Sequence, residues 1–161
     1  MRYIVILLGF VFFSCGTHKI NSPVFKCPPI GVCSYEKHEN KSLIIKRDDI
    51  GALYYQTEDY SGKTVFVYRY EQNVDKAYID GHYIEEIIFE INNEVLKGDF
   101  KDLKPDKILF GVFCYCKGKA GHYVVENSSV SYQKKTNTII ISINQILENQ
   151  ILNTVEIPFN K

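Results

Sequence analysis

The residues of this chain best suited to chemistry are its cysteines, and their spacing points to cross-links before catalysis. Apart from Cys15, the set is Cys27, Cys33, Cys114 and Cys116, an even number that in an exported domain reads as a disulfide framework with three possible connectivities. Cys114 and Cys116 stand two apart and so share one side of a strand. A bridge between them needs a backbone bend, because an extended chain holds their Cα atoms near the upper limit of disulfide reach, about 6.8 Å. The easier arrangement joins each to one of Cys27 and Cys33. It would staple the N-terminal segment, turned by Pro28-Pro29-Ile30-Gly31, across the strand, closing loops of about 80 to 90 residues worth roughly 4 kcal/mol in the chain-entropy picture. A local Cys27 to Cys33 bridge is the second arrangement. Structural zinc wants spacers of about two to four residues within each pair. The spacers here are five and one, so no metal site is expected. A redox centre of the Cys-x-x-Cys type beside a βαβ unit is absent. The sharper alternative is exchange at Cys114-Tyr115-Cys116, where so short a bridge would be strained and oxidising.

Histidines and carboxylates add little. His18 and His38 fall in polar stretches, and His82 and His122 each follow a turn glycine, which reads as surface placement rather than a general-base pair. Glu85 and Glu86 are adjacent and face opposite ways along a strand, so they cannot act together. Glu86 and Glu90 share a face, read as a solvated edge rather than a glycosidase pair. Asp75, Asp80, Asp99, Asp102 and Asp106 lack the calcium-loop pattern. No phosphate-binding loop, dinucleotide fingerprint, nucleophile elbow or His-Glu-x-x-His occurs. The expectation is no catalytic residue, no cofactor and no enzyme.

Tyrosine is abundant. Tyr54, Tyr55, Tyr60, Tyr68, Tyr70, Tyr78, Tyr83, Tyr115, Tyr123 and Tyr132 lie in or beside strands. Most aromatics in a small domain fill its core. The functional alternative is a tyrosine-rich face for a protein or glycan, since tyrosine is apolar at one end and seeks a hydrogen bond at the other.

The elements that must position these residues are strands. The chain carries 20 Ile, 13 Val, 12 Tyr and 10 Phe against three Ala and one Met, and β-branched and aromatic side chains suit a pleated surface. Turn signals recur at about the 8 to 12 residue spacing of sandwiches and barrels. The predicted strands are Val32 to Lys37, Ser42 to Lys46, Ala52 to Thr57, Thr64 to Tyr70, His82 to Asn92, Ile108 to Cys116, His122 to Glu126, Val130 to Lys134, Thr138 to Ile143 and Thr154 to Phe159. Turns are expected at Asn40-Lys41 and Ser61-Gly62, a long connection or lone helical turn over 94–107, and a short helix over 145–152. The segment Ile108 to Cys116 is apolar on both sides and is expected at the centre of the sheet, with Tyr83 to Ile91 half buried. The expected fold is all-β, an antiparallel sandwich or small meander barrel of about 8 to 10 strands with at most one short helix.

An address is written at the N-terminus. Met1-Arg2 precedes eleven apolar residues, Tyr3 to Phe13, which is short of the roughly 20 a membrane-spanning helix needs and within the roughly 7 to 15 of a signal peptide. The following residues, Phe12-Phe13-Ser14-Cys15, resemble the lipobox of bacterial lipoproteins, in which a small residue precedes the acylated cysteine. Phe12 and Phe13 stand where that family prefers an aliphatic and a small residue. The resemblance covers residues 1–16 and implies lipid attachment at Cys15, a membrane anchor and an extracytoplasmic location in a bacterial envelope, with the outer membrane favoured. Cleavage after Gly16 is the alternative, and would release a soluble secreted protein. The domain plan is then a signal peptide over 1–14, a lipidated tether over 15–26 and a single all-β domain over 27–161. Removal of residues 1–14 takes away Arg2 and leaves a formal charge of minus one. Without a basic excess no nucleic-acid partner is implied. The function expected is a non-enzymatic binding or structural module of the cell envelope. A small-ligand carrier with a barrel cavity, and an envelope enzyme or inhibitor with an unlocated site, are the alternatives.

Overall fold

A computed structural model describes residues 26–74 and 81–159. Cys15, His18, the signal segment and the tether to residue 25 lie outside the described residues, as do Asp75, Tyr78 and Asp80. Nine antiparallel strands are present among the described residues: β1 Gly31–Arg47, β2 Leu53–Gln72, β3 Tyr83–Asn92, β4 Phe100–Leu103, β5 Ile108–Cys114, β6 Gly121–Val124, β7 Ser128–Gln133, β8 Thr138–Ile143 and β9 Thr154–Pro158. They form a five-stranded sheet, ordered β1-β2-β3-β5-β6, and a four-stranded sheet, ordered β4-β7-β8-β9. The fold is an all-β sandwich whose larger sheet also curls upon itself.

Period-two alternation builds the main core. Phe66, Tyr68 and Tyr70 of β2, Ile87, Phe89 and Ile91 of β3, and Ile108, Phe110 and Val112 of β5 project from one face of the larger sheet. Val130 and Tyr132, Ile139, Ile141 and Ile143, and Val155 and Ile157 meet them from the smaller sheet. Residues of one parity share a face, so each apolar set is delivered to a single layer. Phe66 stacks on Phe89 with centroids 5.3 Å apart, and Tyr132 meets Phe159 edge-on at 5.7 Å.

The opposite face of the larger sheet carries a second core of Val65, Val67, Ile88 and Leu109, covered by Leu43 with Ile45, Leu53 and Tyr55. The cover is the far half of the β1–β2 hairpin. Sequence signals predict turns at Asn40-Lys41 and Ser61-Gly62, but β1 and β2 run through both points as continuous 17- and 20-residue strands. A register shift between Glu39 and Lys41, a left-handed Asn40 (φ 54°) and a left-handed Gly62 (φ 92°) lie across from each other. Irregularities placed opposite one another bend both strands together, so the hairpin folds over the sheet rather than ending. Its far end then pairs with β6 at Leu53 and His122, closing a small barrel.

Three further expectations need correction. The central strand is β3, enclosed from Glu85 to Ile91, whereas β5 lies between β3 and the four-residue β6. Both faces of β3 are covered because the folded-over hairpin hides the side expected to face solvent. The 145–152 segment forms no helix. Gln150 instead uses its side chain to accept from Ile146 N (2.7 Å) and donate to Leu152 O (2.8 Å), an irregular loop held by one buried amide. Cysteine pairing is local: Cys27 joins Cys33 and Cys114 joins Cys116, with Cα separations of 5.7 and 5.1 Å. Long-range pairing fails because Cys33 sits opposite Tyr70 on β2, which puts β2 and β3 between it and β5. The bend that a Cys114–Cys116 bridge requires occurs at Tyr115, where β5 leaves the sheet.

Candidate functional site

The second core is bracketed by two buried carboxylates that β3 places four residues apart. Even-numbered residues of β3 face the folded-over hairpin, so Glu86, Ile88 and Glu90 line up with the apolar Ile88 between two charges. Glu86 and Glu90 are 6% and 1% exposed. The expected solvated edge is a covered one, and each carboxylate is met by donors from strands distant in sequence.

At one end Glu90 accepts from Ser42 Oγ at 2.7 Å, from Leu43 N at 2.7 Å and from Lys63 Nζ at 2.6 Å, with Lys107 Nζ at 3.8 Å. Lys107 Nζ also donates to Leu43 O at 2.6 Å. Burial pushes the Glu90 carboxyl up more than any single contact pushes it down, but the bonds from Lys63, Ser42 and Leu43 and the charge of Lys107 together hold it below the ordinary carboxylate value. The bond to Glu90 in turn raises the Lys63 ammonium, against burial. The group is a charged clasp binding β1, β2, β3 and the start of β5.

At the other end Glu86 Oε1 lies 2.9 Å from His122 Nε2, and His122 Nδ1 lies 3.1 Å from Leu53 O. A carbonyl and a carboxylate both accept, so satisfying both contacts takes a proton on each ring nitrogen or one on Glu86. Arg69 approaches Glu86 at 3.9 Å. Tyr55 and Phe113 set their rings edge-on to the imidazole at 5.6 and 5.2 Å. Burial, then the charges of Glu86 and Glu36, raise the Tyr55 phenol, with Arg69 opposing. The imidazole occupies the space above Gly111, where an added Cβ would stand 2.8 Å from Glu86 Cγ and 3.0 Å from His122 Cδ2. His122 is therefore an interior residue that ties the far end of the hairpin to β3, in contrast to the surface placement expected for it. A glycine inside an otherwise apolar strand is the one sequence signal for this pair, since such glycines mark a close approach.

Glu85 faces the main core and is fully buried. It accepts from Ile151 N (2.9 Å), from Leu152 N (2.7 Å) and from the Tyr83 hydroxyl, anchoring the loop before β9. Burial first, and then the bond to Glu85, raise the Tyr83 phenol far above its ordinary value. Glu85 and Glu86 do not converge, as their alternation requires. His38 is partly exposed and His82 exposed, at 3.1 Å from Glu36 and 4.0 Å from Glu71. No group of three metal-ligating side chains occurs among the described residues.

The tyrosines divide. Tyr68, Tyr70 and Tyr132 fill the main core, and Tyr35, Tyr55, Tyr83 and Tyr123 are partly covered, while Tyr54, Tyr60 and Tyr115 are exposed at separate places. Burial pushes the Tyr68 phenol up to about 12. The best-formed concavities are surface clefts of about 280 to 490 Å³. One, of about 390 Å³, lies where the hairpin end meets β6 and is bounded by Arg47, Leu53, His122, Val124 and Ile146.

These geometries define a two-sheet all-β domain with a closed, side-chain-filled barrel on one face. A scan against protein-family models and searches of curated proteins and of solved structures find no match.

Proposed function

We propose that this protein is a lipid-anchored protein of the bacterial cell envelope, acylated at Cys15, that works without catalysis by binding a protein partner through its β surface. The carrying observation is where the polar chemistry is spent. The donors around Glu85, Glu86 and Glu90 all come from the fold itself, which suits charges that hold a scaffold together. The barrel interior is filled by Leu43, Val65, Val67, Ile88 and Leu109, which favours a scaffold over a small-ligand carrier. Apolar side chains stand at the surface instead: Ile50 at the hairpin tip is 90% exposed, Tyr54 is exposed on the same hairpin, and Val124 is exposed at the hairpin–β6 cleft. A patch of this kind beside a basic residue, Arg47, suits a protein surface. The chain has no tryptophan, which weighs against sugar stacking.

Two measurements test the reading. The intact mass of the membrane-extracted protein is expected to show a diacyl or triacyl Cys15 as the first residue, and an unmodified Cys15 or a start after Gly16 overturns the anchor. Photo-crosslinking residues at positions 50 and 54 in intact cells are expected to trap one protein that position 135 does not. Identical adducts from all three positions, or none, overturn the binding surface.

A further inference from the structure

The Cys114–Cys116 bridge has no evident work in holding the fold. A disulfide restrains the unfolded chain more as the loop it closes lengthens, and this one joins residues two apart. Its neighbourhood is already secured, since β5 pairs with β3 from Tyr83–Cys114 to Phe89–Ile108 and with β6 from Val112–Gly121 to Leu109–Val124. The Cys27–Cys33 bridge differs. It spans the Pro28-Pro29-Ile30-Gly31 turn and fastens the incoming chain to β1.

Position and surroundings suit exchange. An extended strand would separate the two Cα atoms by about 6.6 Å, whereas they lie 5.1 Å apart because the chain bends at Tyr115. Tyr115 is 87% exposed, both cysteines are partly exposed, and the turn that follows closes through Lys119 N on Cys116 O at 3.1 Å. Cys114, Tyr115, Cys116 and Lys117 together line a cleft of about 490 Å³. An accessible bridge in a short ring is one that exchanges.

We propose that Cys114–Cys116 is an exchangeable disulfide that accepts two electrons from a protein dithiol docked at the Tyr115 cleft. The partner's thiolate attacks Sγ of Cys116, which lies past the end of β5. A new sulfur–sulfur bond forms, the Cys114–Cys116 bond breaks, and its electron pair leaves on Sγ of Cys114. The partner's second thiolate then attacks its own sulfur in the mixed disulfide and expels Sγ of Cys116. The partner departs as a disulfide, and its two electrons and two protons reside on Cys114 and Cys116. The inference needs an accessible bridge and does not rest on the lipid anchor or the hairpin-tip surface.

The test uses the whole purified protein in glutathione buffers, with thiols alkylated and located by mass spectrometry. Cys114 and Cys116 are expected to become half reduced at a ratio of squared reduced to oxidised glutathione at least tenfold lower than Cys27 and Cys33 require. The thermal midpoint of the half-reduced protein should stay within about 3 °C of the oxidised one. A synthetic single-cysteine peptide activated as its 2-thiopyridyl disulfide, whose thiopyridone departs, should form a mixed disulfide with the Cys114→Ser variant at least tenfold faster than with Cys116→Ser. Both bridges opening together, or Cys114–Cys116 opening only with loss of fold, overturns the proposal. The glutathione titration needs no variant and decides the matter if either serine variant fails to fold.

Discussion

Replacing Glu90 by glutamine removes one charge from the best-bonded carboxylate of the second core and keeps its shape. The native group accepts three bonds of 2.6 to 2.7 Å from Ser42, Leu43 and Lys63. Glutamine keeps one acceptor oxygen. If that oxygen serves Ser42 and Leu43 N, the amide nitrogen faces the Lys63 ammonium, donor against donor. Lys63 and Lys107 have side chains 20% and 35% exposed, so both can turn to water. A hydrogen bond to a charged group contributes about 1.5 to 3 kcal/mol. One such bond is lost and two are weakened to neutral strength, while relief of carboxylate desolvation offsets part of the loss. The expected cost is about 2 to 3 kcal/mol at pH 7, read from urea unfolding of the oxidised protein by circular dichroism. The sign with pH follows from the lowered Glu90 value. A carboxyl held below its unfolded value stabilises the fold above that unfolded value and loses the contribution as pH falls through the folded one. The gap between wild type and Glu90→Gln should therefore narrow below about pH 4.5. A cost under about 0.5 kcal/mol at pH 7 would refute the clasp, as would a gap that widens on acidification.

Other perturbations probe the opposite end and the core. His122→Ala leaves Glu86 buried with Arg69 at 3.9 Å and should cost about 3 kcal/mol, whereas Glu86→Gln with His122→Ala should cost much less than the sum of the single changes, so a double-mutant cycle in urea checks the coupling. Gly111→Ala drives a methyl against the locked Glu86–His122 pair and should cost about 1 to 3 kcal/mol, and an unchanged urea midpoint would show that the pair can move aside. Because the Tyr68 phenol is pushed up to about 12 from 10, the unfolded state loses its proton first as pH rises, and stability should fall by about 1.4 kcal/mol between pH 9 and 11. Tyr68→Phe should remove that part of the alkaline slope.

Alternation along β3, β5 and β8 is readable in the chain, and the sides assigned to Tyr83, Ile87, Phe89 and Ile91, and to Ile108, Phe110 and Val112, are the sides that form the main core. Parity tells which residues share a face. It does not tell whether that face is covered, and this is why Glu86 and Glu90 read as solvated. Their cover comes from the far half of the β1–β2 hairpin, which for Glu90 means residues more than 40 positions earlier, and the length of that hairpin depends on two irregularities meeting across it. Asn40 and Ser61-Gly62 carry turn chemistry, but left-handed residues serve a bend between paired strands as readily as a reversal, and pairing decides between them. His122 was legible only through its partner on β5, Gly111, because a missing side chain shows that something approaches and not what approaches.

Composition and alternation alone thus determined that the chain is all-β and which residues share a face, because the strand period is a local property of the backbone. Tertiary structure alone decided which carboxylates are buried and paired, and which cysteines meet. Those outcomes depend on strand order, on a hairpin folding back over a sheet, and on the bend at Tyr115, none of which is written within any single strand.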